Sequence, residues 1–351
     1  MKQYRFLTLT ALLAGVTLLS SCNDDDAPEP VIIPPTESGL IEVDGGGATY
    51  PNTAYIQFRT GTQTAVARES WDLAFAAGSD FKVLINGTTG AMTSATGETD
   101  INAVSAEDMS AADSAALVLT HTNLVGIEHV DDASNPLSSP AISAISATEG
   151  SNEVYILSRG ASAVDAKPLK KIRIIRNGEG YTLQHADADA ATFTSVDITK
   201  DSDLNFVYFS FENGIVDVEP GKAAWDIVWT AGTSSTPFPQ ATNGTLAYFY
   251  QDLVFHNIYG GSAVAEVLEE DIAYESFTEQ EAQVLTFSTT DRLTIGSNWR
   301  TTMPSPGEIK QDRYYIVKDT EENIYKVRFL SLTKDGERGR PSLEFELVSE
   351  E

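Results

Sequence analysis

One cysteine, Cys22, is present among 351 residues. A single thiol excludes an intrachain disulfide and a thiolate metal cluster. Histidine is scarce too. His121, His129, His185 and His256 are the only four, and they are scattered without the spacing of a metal-ligand set. Cations are few: 23 Lys and Arg face 51 Asp and Glu, a formal net charge of −28. Phosphate backbones are held by clustered cations with release of counterions, so this balance excludes a nucleic-acid partner. It equally excludes a protein body lying flat on an anionic membrane. A nucleophile elbow, a His-Glu-x-x-His pair, a phosphate-binding Gly-Lys loop and a spaced-acid calcium loop are all missing. A glycan-cleaving enzyme gains no support either, because with so many carboxylates some pair falls at any chosen separation. No enzymatic role is expected.

Long apolar runs are absent except at the N-terminus. Lys2 and Arg5 precede Leu7 to Leu19, a stretch of signal-peptide length that is too short for a stable transmembrane helix. It ends Leu19-Ser20-Ser21-Cys22, which resembles the bacterial lipobox. That resemblance makes residues 1–22 a lipoprotein signal peptide and Cys22 the lipid-attachment residue. The membrane is then reached through the lipid anchor only. Residues 23–39 form an acidic, proline-rich tether: Asn23-Asp24-Asp25-Asp26 precedes four prolines between Ala27 and Pro35, an extended and semi-rigid composition. An acidic run directly after the lipid cysteine resembles the lipoprotein export signal of Bacteroidota. It implies an outer-membrane address facing the cell exterior. Asp113-Ser114-Ala115 resembles the O-glycosylation signal of the same bacteria.

The remainder has an ordinary hydrophobic content of 42%, enough for a packed core. It also repeats itself. Tyr55-Ile56-Gln57-Phe58-Arg59-Thr60-Gly61 precedes Ser70-Trp71-Asp72-Leu73-Ala74-Phe75, and Tyr208-Phe209-Ser210-Phe211-Glu212-Asn213-Gly214 precedes Ala224-Trp225-Asp226-Ile227-Val228-Trp229. Each copy closes on a similar pair of apolar runs, Val154 to Leu157 with Lys171 to Ile175, and Tyr314 to Val317 with Lys326 to Leu330. The period is too long for a solenoid. It predicts two tandem units, 40–200 and 201–351, separable near Thr199 to Asp203.

The local pattern is mostly β. Leu343-Glu344-Phe345-Glu346-Leu347 alternates as a half-buried strand should, and Tyr325, Val327 and Phe329 share one face. Asn86-Gly87, Asn177-Gly178, Asn213-Gly214 and Asp335-Gly336 mark turns, and a hairpin turns near Asn323. Helical signals are limited to Ser105–Leu119 and Ser276–Val284. The expected fold class is all-β and antiparallel. Trp71-Asp72 and Trp225-Asp226 at strand starts are expected to pack and bond turns.

The lipoprotein signal, the aromatic strand ending in Gly, the Trp-Asp-Ile/Leu-x-Phe/Trp block and the late Tyr-Tyr-Ile-Val-x-Asp…Tyr-Lys-Val-Arg-Phe hairpin together resemble the HmuY family. These are haem-binding surface lipoproteins of Bacteroidota with an all-β fold. The resemblance is best from about Phe206 to Val348 and implies capture of haem b, from free haem or haem-carrying proteins, for an outer-membrane transporter. The iron of haem is usually held by His, Met, Cys or Tyr. In Trp299-Arg300-Thr301-Thr302-Met303-Pro304, Met303 falls where the family often shows His, so it is the first candidate haem iron ligand. His256, the only histidine of the second unit, is the weaker partner; strand alternation also suits it to a core position. His129 lies nearer the interval expected after Trp71, but Asn135 to Thr148 offers no second ligand, so the first unit is expected to lack a site. A further possibility is a HmuY-like chain without haem that serves as an adhesive or complex-forming surface subunit.

Overall fold

The computed structural model describes residues 34–109, 117–120, 127–160, 167–241 and 244–350. Cys22, most of the tether, His121 and Asp113-Ser114-Ala115 lie outside them. In the first half of the chain run β1 (Ser38–Glu42), β2 (Asn52–Gln57), β3 (Thr62–Ala67), β4 (Leu73–Ala76), β5 (Val83–Ile85) and β6 (Met92–Ala95). They continue with β7 (Val154–Ser158), β8 (Lys170–Asn177), β9 (Gly180–Asp187) and β10 (Thr194–Ile198). The second half adds β11 (Phe206–Ser210), β12 (Gly214–Val216), β13 (Ile227–Pro237), β14 (Thr245–His256) and β15 (Ala263–Leu268). Last come β16 (Arg300–Thr301), β17 (Glu308–Ile309), β18 (Arg313–Lys318), β19 (Ile324–Ser331) and β20 (Ser342–Ser349). Every pairing between these strands is antiparallel.

They form two five-stranded sheets, β1-β20-β19-β18-β15 and β10-β9-β8-β7-β6, and two four-stranded sheets, β12-β11-β4-β5 and β14-β13-β2-β3. A short β16-β17 ribbon stands apart. The predicted turns serve these sheets: Gly178 and Gly214, both at positive φ, close β8-β9 and β11-β12. Without a Cβ, glycine takes that backbone at little cost. The hairpin near Asn323 joins β18 to β19, with Lys318 opposite Ile324.

The repeat is real in its motifs, but the two units do not divide at residue 200. β2 of the first copy pairs with β13 of the second, and β11 of the second pairs with β4 of the first. β1 pairs with β20, while β10 pairs with β9. Each copy therefore pairs its aromatic opening strand with the Trp-Asp strand of the other, and β1 alone reaches across to a closing strand. Side-chain burial follows the exchange. One core joins Ile41, Ile56 and Phe58 to Trp229, Trp299, Tyr325 and Phe345. The other joins Phe75, Leu157 and Tyr181 to Val207 and Phe209. The first lobe is thus roughly residues 68–222, continuous in sequence, and the second is built from residues 35–67 with 223–350. The whole of Pro35–Glu351 forms one compact unit.

Lys326, on the strand face opposite Tyr325, Val327 and Phe329, is buried, its Nζ 3.3 Å from the Tyr274 carbonyl and 3.3 Å from Glu346. A second apolar layer of Val267, Tyr274, Phe277, Tyr314 and Ile316 covers that side of the sheet, so β18 and β19 are covered on both faces. Of the two predicted helices, Ser276–Val284 contains α1 (Glu279–Ala282), where the Thr278 N–H donates to Glu281 Oε2 at 2.9 Å. Within the other, the described residues include a 3-10 turn at Ala106–Asp108, and residues 110–116 lie outside the described set.

Candidate functional site

The Trp-Asp pairs are corners of the exchange. Asp72 N–H donates to the Phe209 carbonyl at 2.8 Å, and Asp226 N–H donates to the Ile56 carbonyl at 2.8 Å. In return, the Phe211 N–H donates to Asp72 Oδ2 at 2.9 Å and the Phe58 N–H to Asp226 Oδ2 at 2.7 Å. The tryptophans pack edge-on against the exchanged strand: Trp71 on Tyr208 at 4.9 Å, Trp225 on Tyr55 at 5.1 Å. Asn86 and Asn257 repeat the symmetry, each amide donating to the carbonyl of its tryptophan, at 2.7 and 2.9 Å. These residues hold backbone together, as packing and turn bonds require.

His256 ends β14 and is only 1% exposed. Its Nε2 lies 3.1 Å from the Ser288 carbonyl, and burial pushes the imidazole down to about 4. It faces the space between the two four-stranded sheets. Met303 is elsewhere, on the loop that joins β16 to β17, and is 77% exposed. The two residues line no common cavity, so the structure does not assemble them into one ligand pair. His129, in the first lobe, is occupied by a 2.9 Å contact from Nδ1 to the Thr93 carbonyl. Met92 is buried in the core.

The Met303 loop is fastened at its root. Trp299 is buried against Phe329, ring centroids 4.1 Å apart, and its indole N–H donates to the Asp252 carbonyl at 3.1 Å. Arg300 donates to the Gln251 carbonyl. Asp252 sits at a positive φ of 55, which turns its buried carboxylate between Arg300, 3.9 Å away, and Arg338, which donates to it. Burial raises the Asp252 carboxyl against the opposing pull of Arg338.

Clefts open on both sides of the loop. One, of about 530 Å³, is lined by Tyr250, Leu253, Arg300, Thr302 and Lys310. The other, of about 470 Å³, is lined by Tyr50, Gln251, Thr302, Pro306 and Arg338. Tyr248 stands edge-on to Tyr250 at 5.0 Å and is 44% exposed. Lys310 is held by Asn298 Oδ1 at 2.9 Å. Tyr250, Arg300 and Lys310 thus line the first cleft, and Met303 stands exposed on the loop whose residue Thr302 borders both clefts. That set suits a flat amphipathic ligand carrying a metal and carboxylates. Sequence reading picked out Met303 but missed Tyr248, Tyr250, Arg300 and Lys310. Their signal was present in Tyr248-Phe249-Tyr250, two aromatics on one strand face, but the pairing that brings β14 beside the loop is not local. Among the described residues no cluster of three or more His, Cys, Asp or Glu side chains could hold a metal ion.

A profile of the family described as HmuY protein matches residues 49–345. The match runs through both copies of the repeat. Among solved structures, the apo HmuY analog TFO of Tannerella forsythia aligns at 10% identity over 90% of this chain and 99% of that chain, with a TM-score of 0.27. A putative HmuY-like haem-binding protein from Bacteroides vulgatus aligns at 11% identity over 90% and 94%, with a TM-score of 0.23. At these scores the superpositions add nothing to the reading of the fold. No curated protein matches.

Proposed function

The chain belongs to the HmuY family, and on that premise we propose that it is a surface-anchored lipoprotein that binds haem. It captures haem, as haem b, for an outer-membrane uptake system, while Cys22 carries the lipid. The observation that carries the binding reading is the exposed Met303 on a fastened loop between two clefts with cations at hand. Met303 would hold the iron through its thioether, Tyr248 and Tyr250 would stack on the macrocycle, and Arg300 and Lys310 would receive the propionates. His256 has no part in this, being committed to Ser288 inside the molecule. Haem, when bound, supplies the iron as cargo; the chain's own residues only hold it.

Titrating haemin into the chain without residues 1–22 and recording the Soret band tests the reading. A saturable band is expected, and Met303→Ala should weaken binding about tenfold or more and shift the band, while Met92→Ala leaves both unchanged. A thioether has no titrating proton, so the Met303-dependent signal should persist under mild acid. No Soret change in either redox state would sink haem binding and leave the adhesive or complex-forming role. For the anchor, Cys22→Ser should abolish fatty-acid labelling and release the protein from membranes; retained labelling would refute the lipid site.

A further inference from the structure

Between the two four-stranded sheets, where the lobes meet, lies a cavity of about 110 Å³. It is separate from the Met303 clefts. Its walls are largely aromatic, with Tyr55, Trp71, Phe206, Tyr208, Trp225 and Phe255 among the lining residues. One cation faces this space. Arg292 uses its Nε to donate to the Ala133 carbonyl at 2.7 Å and lies over the Phe255 ring at 4.2 Å. Among the described residues no carboxylate forms an ion pair with it, unlike the buried Arg159, which has two.

The two acids on the cavity wall are already engaged elsewhere. Asp131 accepts from the N–H groups of Ile85 at 2.9 Å and Ala141 at 2.8 Å. Glu219 accepts from the N–H groups of Asn205 and Phe206 and from the Tyr208 hydroxyl, at 3.2, 3.1 and 3.2 Å. Burial pushes Asp131 up to about 7 and Glu219 up to about 8, so in slightly acidic solution neither supplies a full negative charge. The Trp225 indole N–H, in the same wall, has no acceptor among the described residues. A half-buried guanidinium that faces a cavity without a counter-charge is a favourable seat for an anion.

We propose that this inter-sheet cavity is a binding site for a small organic monocarboxylate, its carboxylate on Arg292 and its apolar body among the aromatic walls. Size sets the upper limit: an engineered cavity of about 150 Å³ admits benzene, so this smaller space suits a short aliphatic body. The planar guanidinium matches a carboxylate in two-point geometry. Aromatic walls disfavour a fully hydrated inorganic anion.

The test uses the chain without residues 1–22, which keeps the compact unit intact, at pH 6. Sodium propionate is titrated while tryptophan fluorescence and calorimetric heat are followed, with Trp71 and Trp225 as reporters. Saturable binding is expected, at least tenfold tighter than for neutral propionamide, with no competition from inorganic phosphate. Arg292→Gln should weaken propionate binding at least tenfold. Ala74→Leu, which fills the cavity and leaves Arg292 in place, should weaken it similarly. Met303→Ala should leave it unchanged, so failure here is distinguishable from failure of the haem reading. The proposal is overturned if wild-type protein gives no saturable signal, if propionamide or phosphate binds as well as propionate, or if folded Arg292→Gln binds like wild type.

Discussion

The two Trp-Asp corners share a sequence motif and a backbone geometry but differ in charge. Asp72 meets Arg159, whose Nε and terminal nitrogen donate at 2.6 and 2.9 Å, and Arg159 continues to Glu212 at 2.6 and 2.5 Å. Asp226, equally buried, meets no cation; it faces the backbone of Thr320 and the acids Asp319 and Glu321, and burial pushes it up to about 7. The partner aromatics differ too. Phe58 is fully buried against Tyr325 and Phe345, while Phe211 is half-buried under Arg159 and Lys170. A conserved geometry can therefore be held in one copy by an ion-pair network and in the other by apolar packing around a carboxyl that is easily neutralised.

The largest effect should come from cutting the exchange. A fragment of residues 204–351 lacks β1, β2 and β3, and with them Ile56 and Phe58, so no cooperative urea transition is expected from it. A fragment of residues 68–222 retains every strand of its lobe and should unfold cooperatively. A cooperative transition from 204–351 would mean that the exchanged strands are dispensable.

Next come the aromatics. Phe58→Ala should destabilise by about 3–5 kcal/mol, as truncation of a fully buried phenylalanine does. Phe211→Ala, at a half-buried position, should cost only about 1–2 kcal/mol. Equal losses in urea denaturation would show that the two corners pack alike. Asp72→Asn should cost about 3 kcal/mol, because Arg159, its side chain 3% exposed, keeps only Glu212.

A change of opposite sign is expected for Asp226→Asn, and its size depends on pH. A carboxyl whose folded pKa is raised from 3.8 to about 7 binds a proton in the native state that the unfolded chain has lost. Its stabilising contribution is present below about pH 4 and is lost as pH rises to about 7. The asparagine variant escapes that loss and still accepts from the Phe58 N–H. Relative to wild type it should gain about 2–4 kcal/mol between pH 4 and pH 8, read from urea midpoints at each pH. A pH-independent difference for Asp226→Asn would mean that the buried acid stays ionised.

Strand alternation, turn glycines and the duplicated Trp-Asp block were legible because each is a local signal. Leu343 and Phe345 point inward as their spacing demands. The exchange was not legible. Tyr55 to Phe58 and Tyr208 to Phe211 are near copies, so the sequence alone leaves open which of them pairs with β4 and which with β13. Pairing between distant strands is decided by tertiary packing. The same limit applies to the Met303 site. The loop was visible, but its neighbours Tyr250 and Lys310 come to it through β14 and the β16-β17 ribbon.

The pairing of Ser38 with Glu346 also imposes an order in time. Synthesis from the N-terminus delivers β1, β2 and β3 first, yet β2 waits for β13 and β1 for β20. The lobe of residues 68–222 can close as soon as it emerges, because its contacts are contained within one continuous segment. The opening segment must wait, with a sheet edge and Phe58 unprotected, until almost the whole polypeptide is out. Such long-range closure is slow and leaves apolar surface open to wrong partners. Arrest of synthesis anywhere between residues 222 and 342 would therefore yield one finished lobe trailing two unsatisfied ends.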